Sequence, residues 1–164
     1  MRLFYERYAG YLTAVCARYI VDRDTLKDVL QESFIKIFGH IDQFEYRGEG
    51  SVRAWVTRIG VNHSLKALRR KGRMSYVDDL PDEPEEPLDG GLPHIQPEVL
   101  QEMIRSLPDG YRAVFNLFVF EKKSHKEIAG LLGIKEDSSA SQYFRARATL
   151  AKKIKAYIKE HNDE

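Results

Sequence analysis

The 164-residue chain has a single cysteine, no long apolar run, and little proline outside one segment. One cysteine, Cys16, excludes an internal disulfide and any zinc site built from several cysteines, a composition typical of the reducing cytosol. No stretch approaches the roughly 20 apolar residues that a membrane span requires. The first seven residues contain an acid and two arginines, so we expect no secretory signal. The sequence therefore predicts a cytoplasmic protein without membrane insertion.

Residue patterns for catalysis or metal binding are also scarce. The five histidines show no paired ligand spacing, and there is no glycine-rich phosphate loop. The triplet from His125 to Glu127 lacks the cysteine pair of a zinc deaminase. Cys16 lies within an apolar helical pattern, where a buried thiol is more common than a nucleophile. We therefore predict no catalytic residues, no metal, no cofactor and no enzymatic activity.

The net charge of +1 hides an uneven distribution of charge along the chain. Residues 1–73 carry 14 basic and 8 acidic side chains, residues 74–97 carry none and 7, and residues 98–164 carry 12 and 10. The acidic segment also holds five of the six prolines, so neither a helix nor a core is expected there. This pattern predicts two domains, 1–73 and 98–164, joined by a flexible acidic linker at 74–97.

Apolar residues recur every three or four positions in the first domain, which predicts helices at 3–20, 24–41 and 52–70. Asp22 or Asp24 is the candidate N-cap of the second helix. The interval 41–51 breaks the period and predicts a loop. Since no run of alternating strand residues is present, the predicted fold class is all-α, with two small helical domains.

The second domain contains the pattern of a helix-turn-helix. Ser124 and Glu127 have the spacing of a capping box, and Gly133 is placed to end the helix that they open. Between 138 and 159 the next helix has six basic residues and no acid. Because ordinary surface helices usually mix both signs, this bias favours DNA binding over a pair of solvated surface helices, which is the alternative interpretation.

This basic helix, the candidate recognition helix of the motif, is expected to bury one stripe of residues: Tyr143, Ala146, Leu150, Ile154 and Tyr157. The polar and aromatic positions near its start are then predicted on or beside the outer face: Ser138, Ser141, Gln142, Phe144 and Arg145. Ser141, Phe144 and Arg145 share one side, from which Arg145 could bind a guanine in bidentate fashion. Lys123 and Ser124, at the start of the preceding helix, are predicted to bind phosphate.

Both halves of the sequence resemble one known family. Residues 107–115, 124–134 and 143–150 are similar to the promoter-binding fourth region of bacterial sigma factors, and residues 28–38 and 44–62 resemble the second region. Their order and the short linker are those of the extracytoplasmic-function group of the sigma-70 family. The resemblance implies a sigma factor that directs RNA polymerase to specific promoters and assists transcription initiation. Its implied partners are core RNA polymerase, promoter DNA and an anti-sigma factor.

The resemblance also implies roles for surfaces of the first domain. One face of the second helix, made of Asp28, Gln31, Glu32 and Ile35, is implied to bind the clamp helices of the polymerase largest subunit. A merely exposed acidic face is the alternative. The following loop and the third helix are implied to bind the single-stranded minus-ten element through Phe44, Tyr46, Arg47, Arg58, Asn62, Lys66, Arg69 and Arg70.

Chemistry supports different tasks for these minus-ten residues. Lysine and arginine neutralise phosphates without regard to sequence, whereas the Asn62 amide can donate and accept and so suits a flipped base. Trp55 and Ile59 are expected in the core of the third helix. In the second domain, Ser138-Ser139 replaces the Thr-Val that the family usually has, and position 139 is a core position in the family.

Two other functions fit part of the pattern. A helix-turn-helix regulator that acts without polymerase would not need the face formed by Asp28, Gln31 and Glu32. A protein that only captures an anti-sigma factor would tolerate the loss of Asn62 and Arg145.

Overall fold

The computed structural model describes residues 1–70 and 95–162. Over these two ranges the backbone forms α-helices and one 3₁₀ turn and no strand, in agreement with the all-α prediction. Contacts between Cα atoms divide the chain into an N-terminal and a C-terminal unit. The predicted linker lies almost wholly outside the described residues. Among the helices described, none is long and apolar enough to cross a membrane.

The N-terminal unit consists of the helices α1 (Arg2–Ala17), α2 (Arg23–His40) and α3 (Ser51–Arg70), with a 3₁₀ turn at Ile41–Gln43. Asp22 is the N-cap of α2, because its carboxylate accepts a hydrogen bond from the Thr25 backbone N–H at 2.9 Å. The first of the two candidate caps is therefore confirmed. The bounds of α2 and α3 agree with the prediction to within one residue, whereas α1 ends at Ala17, three residues before its predicted end.

The core of this unit corrects the prediction for α3. Trp55 and Ile59 are only partly buried, whereas the buried positions of the helix are Val56, Gly60, Val61, Ser64, Leu65 and Leu68. The stripe that faces the other helices is displaced around the α3 axis from the one we expected. Trp55 lies at its border, where its ring packs on Phe44 with 4.8 Å between centroids.

Gly60 allows α1 and α3 to approach closely. A Cβ atom at this position would lie 2.6 Å from Leu12 Cδ1 and 3.0 Å from Cys16 Sγ. Both neighbours are fully buried, so neither side chain has free space into which it could move. The absence of a side chain at position 60 therefore sets the distance between the two helices.

The C-terminal unit consists of α4 (Pro97–Arg105), α5 (Asp109–Val119), α6 (His125–Leu132) and α7 (Glu136–Asn162). One apolar cluster joins α4, α5 and α7, and its buried members are Ile104, Leu107, Tyr111, Ala146 and Leu150. Ile154 extends the buried stripe along α7. The predicted core of α7 is thus confirmed at Ala146, Leu150 and Ile154, while Tyr143 and Tyr157 are partly buried.

A buried arginine connects the end of α4 to α5. Arg112 is 2% exposed and donates hydrogen bonds to the carbonyl oxygen of Leu107 at 2.8 Å and to that of Arg105 at 3.3 Å. It also forms an ion pair with the Asp109 carboxylate. Since a buried charge must be paired and hydrogen-bonded, these contacts fix the turn between the two helices.

The helix-turn-helix pattern is present in the backbone. Ser124 and Glu127 form both hydrogen bonds of a capping box at the start of α6, as predicted. Gly133 ends α6 in the left-handed conformation, with φ of 66°, which glycine adopts without steric cost. Helix α7 then begins at Glu136 with two acids in its first turn, where their negative charge interacts favourably with the helix dipole.

Candidate nucleic-acid and polymerase interfaces

The acidic face predicted on α2 is exposed at three of its four positions, and Glu32 is partly buried. Asp28, Gln31 and Ile35 are exposed, and Ile35 retains 66% of its accessible surface. An isoleucine this exposed beside a carboxylate and an amide is a surface suited to a protein partner, because it combines apolar area with polar anchors. The geometry is compatible with the predicted polymerase contact.

Glu32, the fourth member of that face, contacts α3 as well. One carboxylate oxygen lies 3.4 Å from His63 Nδ1, and the other lies 3.6 Å from the Arg70 guanidinium. Lys36 and Lys66 also line this shallow groove between α2 and α3. The structure therefore brings together Glu32 and Arg70, which the sequence placed in two separate sites.

The loop between the 3₁₀ turn and α3 has a defined shape. Gly48 and Gly50 have φ of 102° and 84°, conformations that favour glycine. The Ser51 hydroxyl donates to the Gly48 carbonyl at 2.8 Å and accepts from the Arg47 backbone N–H at 3.3 Å. Tyr46 is 70% exposed at the surface of this loop.

The predicted minus-ten residues of α3 lie along one exposed stripe: Arg58, Asn62, Lys66, Arg69 and Arg70 are all exposed. In the adjoining loop, Phe44 is partly buried against Trp55, and Arg47 pairs with Glu45 at 3.1 Å. The stripe follows from helical spacing, because these positions alternate with the buried stripe given above. The arrangement offers cations for phosphates, one amide and one exposed ring for bases. Arg73, which would continue the stripe, lies outside the described residues.

The outer face of α7 agrees with the prediction at most positions. Ser141 is exposed, Phe144 is 49% exposed, and Arg145 and Ser138 are partly buried. Helical spacing places Ser141, Phe144 and Arg145 on one side of α7, opposite Leu150. This side can present a hydroxyl, a ring and a guanidinium to the edges of bases in a major groove.

Gln142 does not belong to this face, and its prediction as a DNA-binding residue is wrong. It is 3% exposed, and its Oε1 atom has no hydrogen-bond partner among the described residues. The buried stripe of α7 runs through Ser139, Gln142, Ala146 and Leu150 at helical spacing. Two of these four are polar, and a search for apolar residues alone does not detect such buried positions, which is why Gln142 was assigned to the surface.

Ser139 is a buried residue that joins α6 to α7. It is fully buried, and its Oγ lies 2.9 Å from Nδ1 of His125, the first residue of α6. The His125 ring stacks on Phe118 of α5 with 4.7 Å between centroids. Serine at this family core position is therefore satisfied by a hydrogen bond between the two helices of the motif.

The start of α6 is the predicted phosphate site. Lys123 and Ser124 are exposed there. The Ser124 hydroxyl accepts from the Glu127 N–H at 3.1 Å, and the Ser124 N–H donates to the Glu127 carboxylate at 2.8 Å. That donation lowers the pKa of Glu127. A phosphate at this helix end would therefore meet the N–H groups of His125 and Lys126, which have no acceptor within the helix.

Nothing in the described ranges favours catalysis. Burial between α1 and α3 raises the pKa of the Cys16 thiol to about 11, so it is not a nucleophile at neutral pH. Residues 1–70 and 95–162 contain no cluster of three His, Cys, Asp or Glu side chains that could hold a metal ion. His125, part of the deaminase-like triplet, has a structural role through Ser139.

Comparison with known proteins gives matches over both units. The family model described as Sigma-70 region 2 matches residues 4–74, and the one described as Sigma-70, region 4 matches residues 98–150. The chain is 31% identical over 166 residues to the ECF RNA polymerase sigma-E factor of Haemophilus influenzae, which covers 93% of this chain and 86% of that protein. It is 27% identical over 170 residues to the protein of the same name from Escherichia coli strain K12, with 96% and 87% covered.

A solved structure has the same fold. It is the sigma factor RpoE of Bartonella quintana in complex with the anti-sigma factor NepR. The two chains superpose with a TM-score of 0.54 at 19% identity, over 94% of this chain and 98% of that one.

Proposed function

The chain belongs to the extracytoplasmic-function group of the sigma-70 family, and from that premise we propose how its two units divide the work of a sigma factor. The protein directs RNA polymerase to specific promoters. In our proposal the N-terminal unit binds core polymerase and the single-stranded minus-ten element, and the C-terminal unit binds the duplex minus-thirty-five element. The observation that carries this division is that the two candidate DNA surfaces lie on separate units, on either side of segment 71–94.

The polymerase contact is assigned to Asp28, Gln31, Glu32 and Ile35 of α2. Its support is the exposure of this face and its mixture of apolar area with acids. Glu32 reaches α3 through His63 and Arg70, so polymerase bound to α2 would lie next to the basic stripe of α3. Polymerase and the minus-ten strand would then be held side by side.

The minus-ten contact is assigned to the Phe44–Gly50 loop, through Tyr46 and Arg47, and to α3. Here Arg58, Lys66, Arg69 and Arg70 neutralise phosphates, and Asn62 recognises a base through its amide. Phe44 supports the loop against Trp55 and does not itself present a free ring.

The minus-thirty-five contact is assigned to Ser141, Phe144 and Arg145 of α7, with Ser138 beside them. Lys123 and the start of α6 hold phosphates and orient the unit without selecting a sequence. Gln142 is excluded from this set because it is buried.

We further propose that the protein works in the cytoplasm, supplies recognition while polymerase performs the chemistry, and is held inactive by an anti-sigma factor. The last element is supported by the fold, since the RpoE structure with the same fold is bound to NepR. No residue of this chain is assigned to that contact.

The test is co-purification with core polymerase. Asp28→Lys with Ile35→Lys places positive charge on the exposed face and avoids Glu32, whose reversal would also repel Arg70. Asp42→Lys with Gln43→Lys is the matched control, because it makes the same change in charge at exposed positions of the 3₁₀ turn. We expect the first variant to lose polymerase while remaining helical by circular dichroism, and the control to retain it. Equal retention of polymerase by both variants would refute the assignment.

A further inference from the structure

Helix α2 brings a lysine to the edge of the minus-ten surface that none of the assigned sites uses. Lys36 is exposed and lines the shallow groove between α2 and α3, together with Lys66 and Arg70 of α3. Ile35 and Gly39 add apolar surface to the same groove. The groove therefore combines positive charge from two helices with an apolar wall.

The row of minus-ten residues on α3 leads into this groove. Four members of the row follow one another at a spacing of four: Arg58, Asn62, Lys66 and Arg70. At 3.6 residues per turn each step advances about 40° around the axis, so the row winds by about 120° over a rise of about 18 Å. Its last two members, Lys66 and Arg70, line the groove. A strand that follows the row therefore reaches α2 at the groove.

One acid opposes the positive charge of the groove, and it has partners within the protein. Among the described residues that line the groove, Glu32 is the single acid. Its carboxylate oxygens lie 3.4 Å from His63 Nδ1 and 3.6 Å from the Arg70 guanidinium. Because Glu32 offsets the charge of Arg70, the cations left for a ligand in the groove are Lys36 and Lys66.

His40 holds the Lys36 side chain at the edge of the groove. His40 Nδ1 lies 3.0 Å from the Lys36 carbonyl oxygen, which can only accept, so Nδ1 is the donor. In a neutral ring with this tautomer Nε2 accepts, and it lies 3.4 Å from Lys36 Nζ. This contact orients the ammonium group without cancelling its charge.

We propose that Lys36, together with Lys66, binds a phosphate of the single-stranded minus-ten element, so that the DNA contact extends from α3 onto α2. The contact adds affinity without adding sequence preference. An acidic surface of polymerase has the same sign of charge as a phosphate, but the row that winds into the groove contains Asn62, which favours the nucleic acid. The inference rests on the proposed role of α3 in binding the minus-ten strand.

The test uses holoenzyme assembled from the full chain and a single-stranded minus-ten oligonucleotide. The variant is Lys36→Gln, and the matched control is Lys27→Gln, which changes an exposed lysine of the same helix outside the groove. Glutamine keeps the helix propensity and removes the charge in both. Affinity is measured across a series of salt concentrations. It is measured again with oligonucleotides in which one phosphate at a time is replaced by a neutral methylphosphonate.

We expect Lys36→Gln to lose about threefold in affinity at low salt and to reduce the slope of log K against log salt by about 0.7 units, the value for one phosphate of a single strand. Neutralising one phosphate, or two adjacent ones, should weaken the wild type more than it weakens Lys36→Gln. All other positions should affect the two proteins equally. The Lys27→Gln control should keep the wild-type affinity and slope.

A wild-type slope in Lys36→Gln would overturn the proposal. Equal responses of the two proteins to every methylphosphonate would overturn it as well, because Lys36 would then contact no phosphate. Loss of polymerase from Lys36→Gln during assembly would instead assign the groove to an acidic polymerase surface. The proposed function has a separate failure, which is a wild-type holoenzyme without preference for any minus-ten sequence. The phosphate scan does not depend on base preference, so the two failures are distinguishable.

Discussion

Both units pack their helices on apolar residues, and the C-terminal unit adds buried polar side chains that connect α4 to α5 and α6 to α7. Between α1 and α3 the approach depends on Gly60 against Leu12 and Cys16. Between α4 and α5 it depends on Arg112, and between α6 and α7 on the hydrogen bond of Ser139 to His125. Apolar packing tolerates small changes in the angle between two helices, whereas a hydrogen bond has a preferred direction and restricts that angle. Buried hydrogen bonds therefore suit a unit in which the two helices of the helix-turn-helix must keep a fixed relative orientation.

This difference has consequences for stability that can be measured separately in each unit. Trp55 is the only tryptophan, so its fluorescence reports on the N-terminal unit, while circular dichroism reports on all helices.

Loss of Arg112 should have the largest effect. Arg112→Met leaves the Asp109 carboxylate and the carbonyls of Leu107 and Arg105 without their donor, which should cost about 3–5 kcal/mol of unfolding free energy. We expect part of the helical signal to melt at lower temperature while the Trp55 transition stays in place. Arg147→Met, the same change at an exposed position, is the control. If the temperature of the Trp55 transition fell together with that of the helical signal, the effect of the Arg112 contacts would not be confined to the C-terminal unit, and the two units would not differ as described.

Gly60→Ala is the corresponding change in the N-terminal unit. Its Cβ would overlap Leu12 and crowd Cys16, and overpacking of this kind costs about 1–3 kcal/mol, of which the gain from replacing a helical glycine by alanine offsets about 0.5–1 kcal/mol. Urea denaturation followed by Trp55 fluorescence should show this loss. Gly10→Ala in α1 has nothing within 4 Å of its Cβ and should instead stabilise the protein by about 0.5–1 kcal/mol. The two substitutions should change the free energy of unfolding in opposite directions. A Gly60→Ala variant as stable as the wild type would show that the close approach of α1 and α3 does not require glycine at this position.

Ser139→Ala tests the polar tie between α6 and α7. Loss of its hydrogen bond to His125 should cost about 1 kcal/mol, seen in the helical signal and not in Trp55 fluorescence. Ser141→Ala, on the exposed side of the same helix, should change stability by less than about 0.5 kcal/mol. Equal effects of the two substitutions would mean that the buried hydrogen bond contributes nothing.

The smallest effect concerns the pH dependence of the capping box. Donation from the Ser124 backbone N–H holds the pKa of Glu127 below its ordinary value of 4.5. A carboxyl with a lowered folded-state pKa stabilises the fold above its unfolded pKa, and this contribution is lost as the pH falls through the folded value. The thermal midpoint of Glu127→Gln should therefore lie below that of the wild type at neutral pH and converge with it below pH 4.5. A gap that widens in acid would contradict the assigned cause.

The same difference explains which parts of the molecule the sequence could predict. Helical periodicity predicts the helices of the N-terminal unit and the exposure of Asp28, Ile35 and Asn62 correctly. It succeeds there because most buried side chains of this unit are apolar. The exception was the pair Trp55 and Ile59, which lie at the border of the buried stripe. A border position is decided by how neighbouring helices pack, and periodicity does not report that.

Prediction was weaker in the C-terminal unit for a physical reason. The capping box and Gly133 follow from local chemistry and were found. Gln142 was assigned to the surface because it is polar, yet it lies in the buried stripe. Only the partners that surround a polar residue decide whether its burial is tolerated, and those partners come from other helices. Ser139 and Arg112 are likewise buried polar residues, and their hydrogen-bond partners include residues of another helix.

The central claim is that each unit recognises its own promoter element, and selection from a promoter library by reconstituted holoenzyme tests it most directly. We expect Asn62→Ala to relax base preference only within the minus-ten element and Arg145→Ala only at one or two base pairs of the minus-thirty-five element, each at a cost of about 1–3 kcal/mol. Lys123→Ala should weaken binding to all sequences alike and keep the wild-type consensus. A consensus that changes at the same element in the Asn62 and Arg145 variants, or in neither of them, would contradict the account.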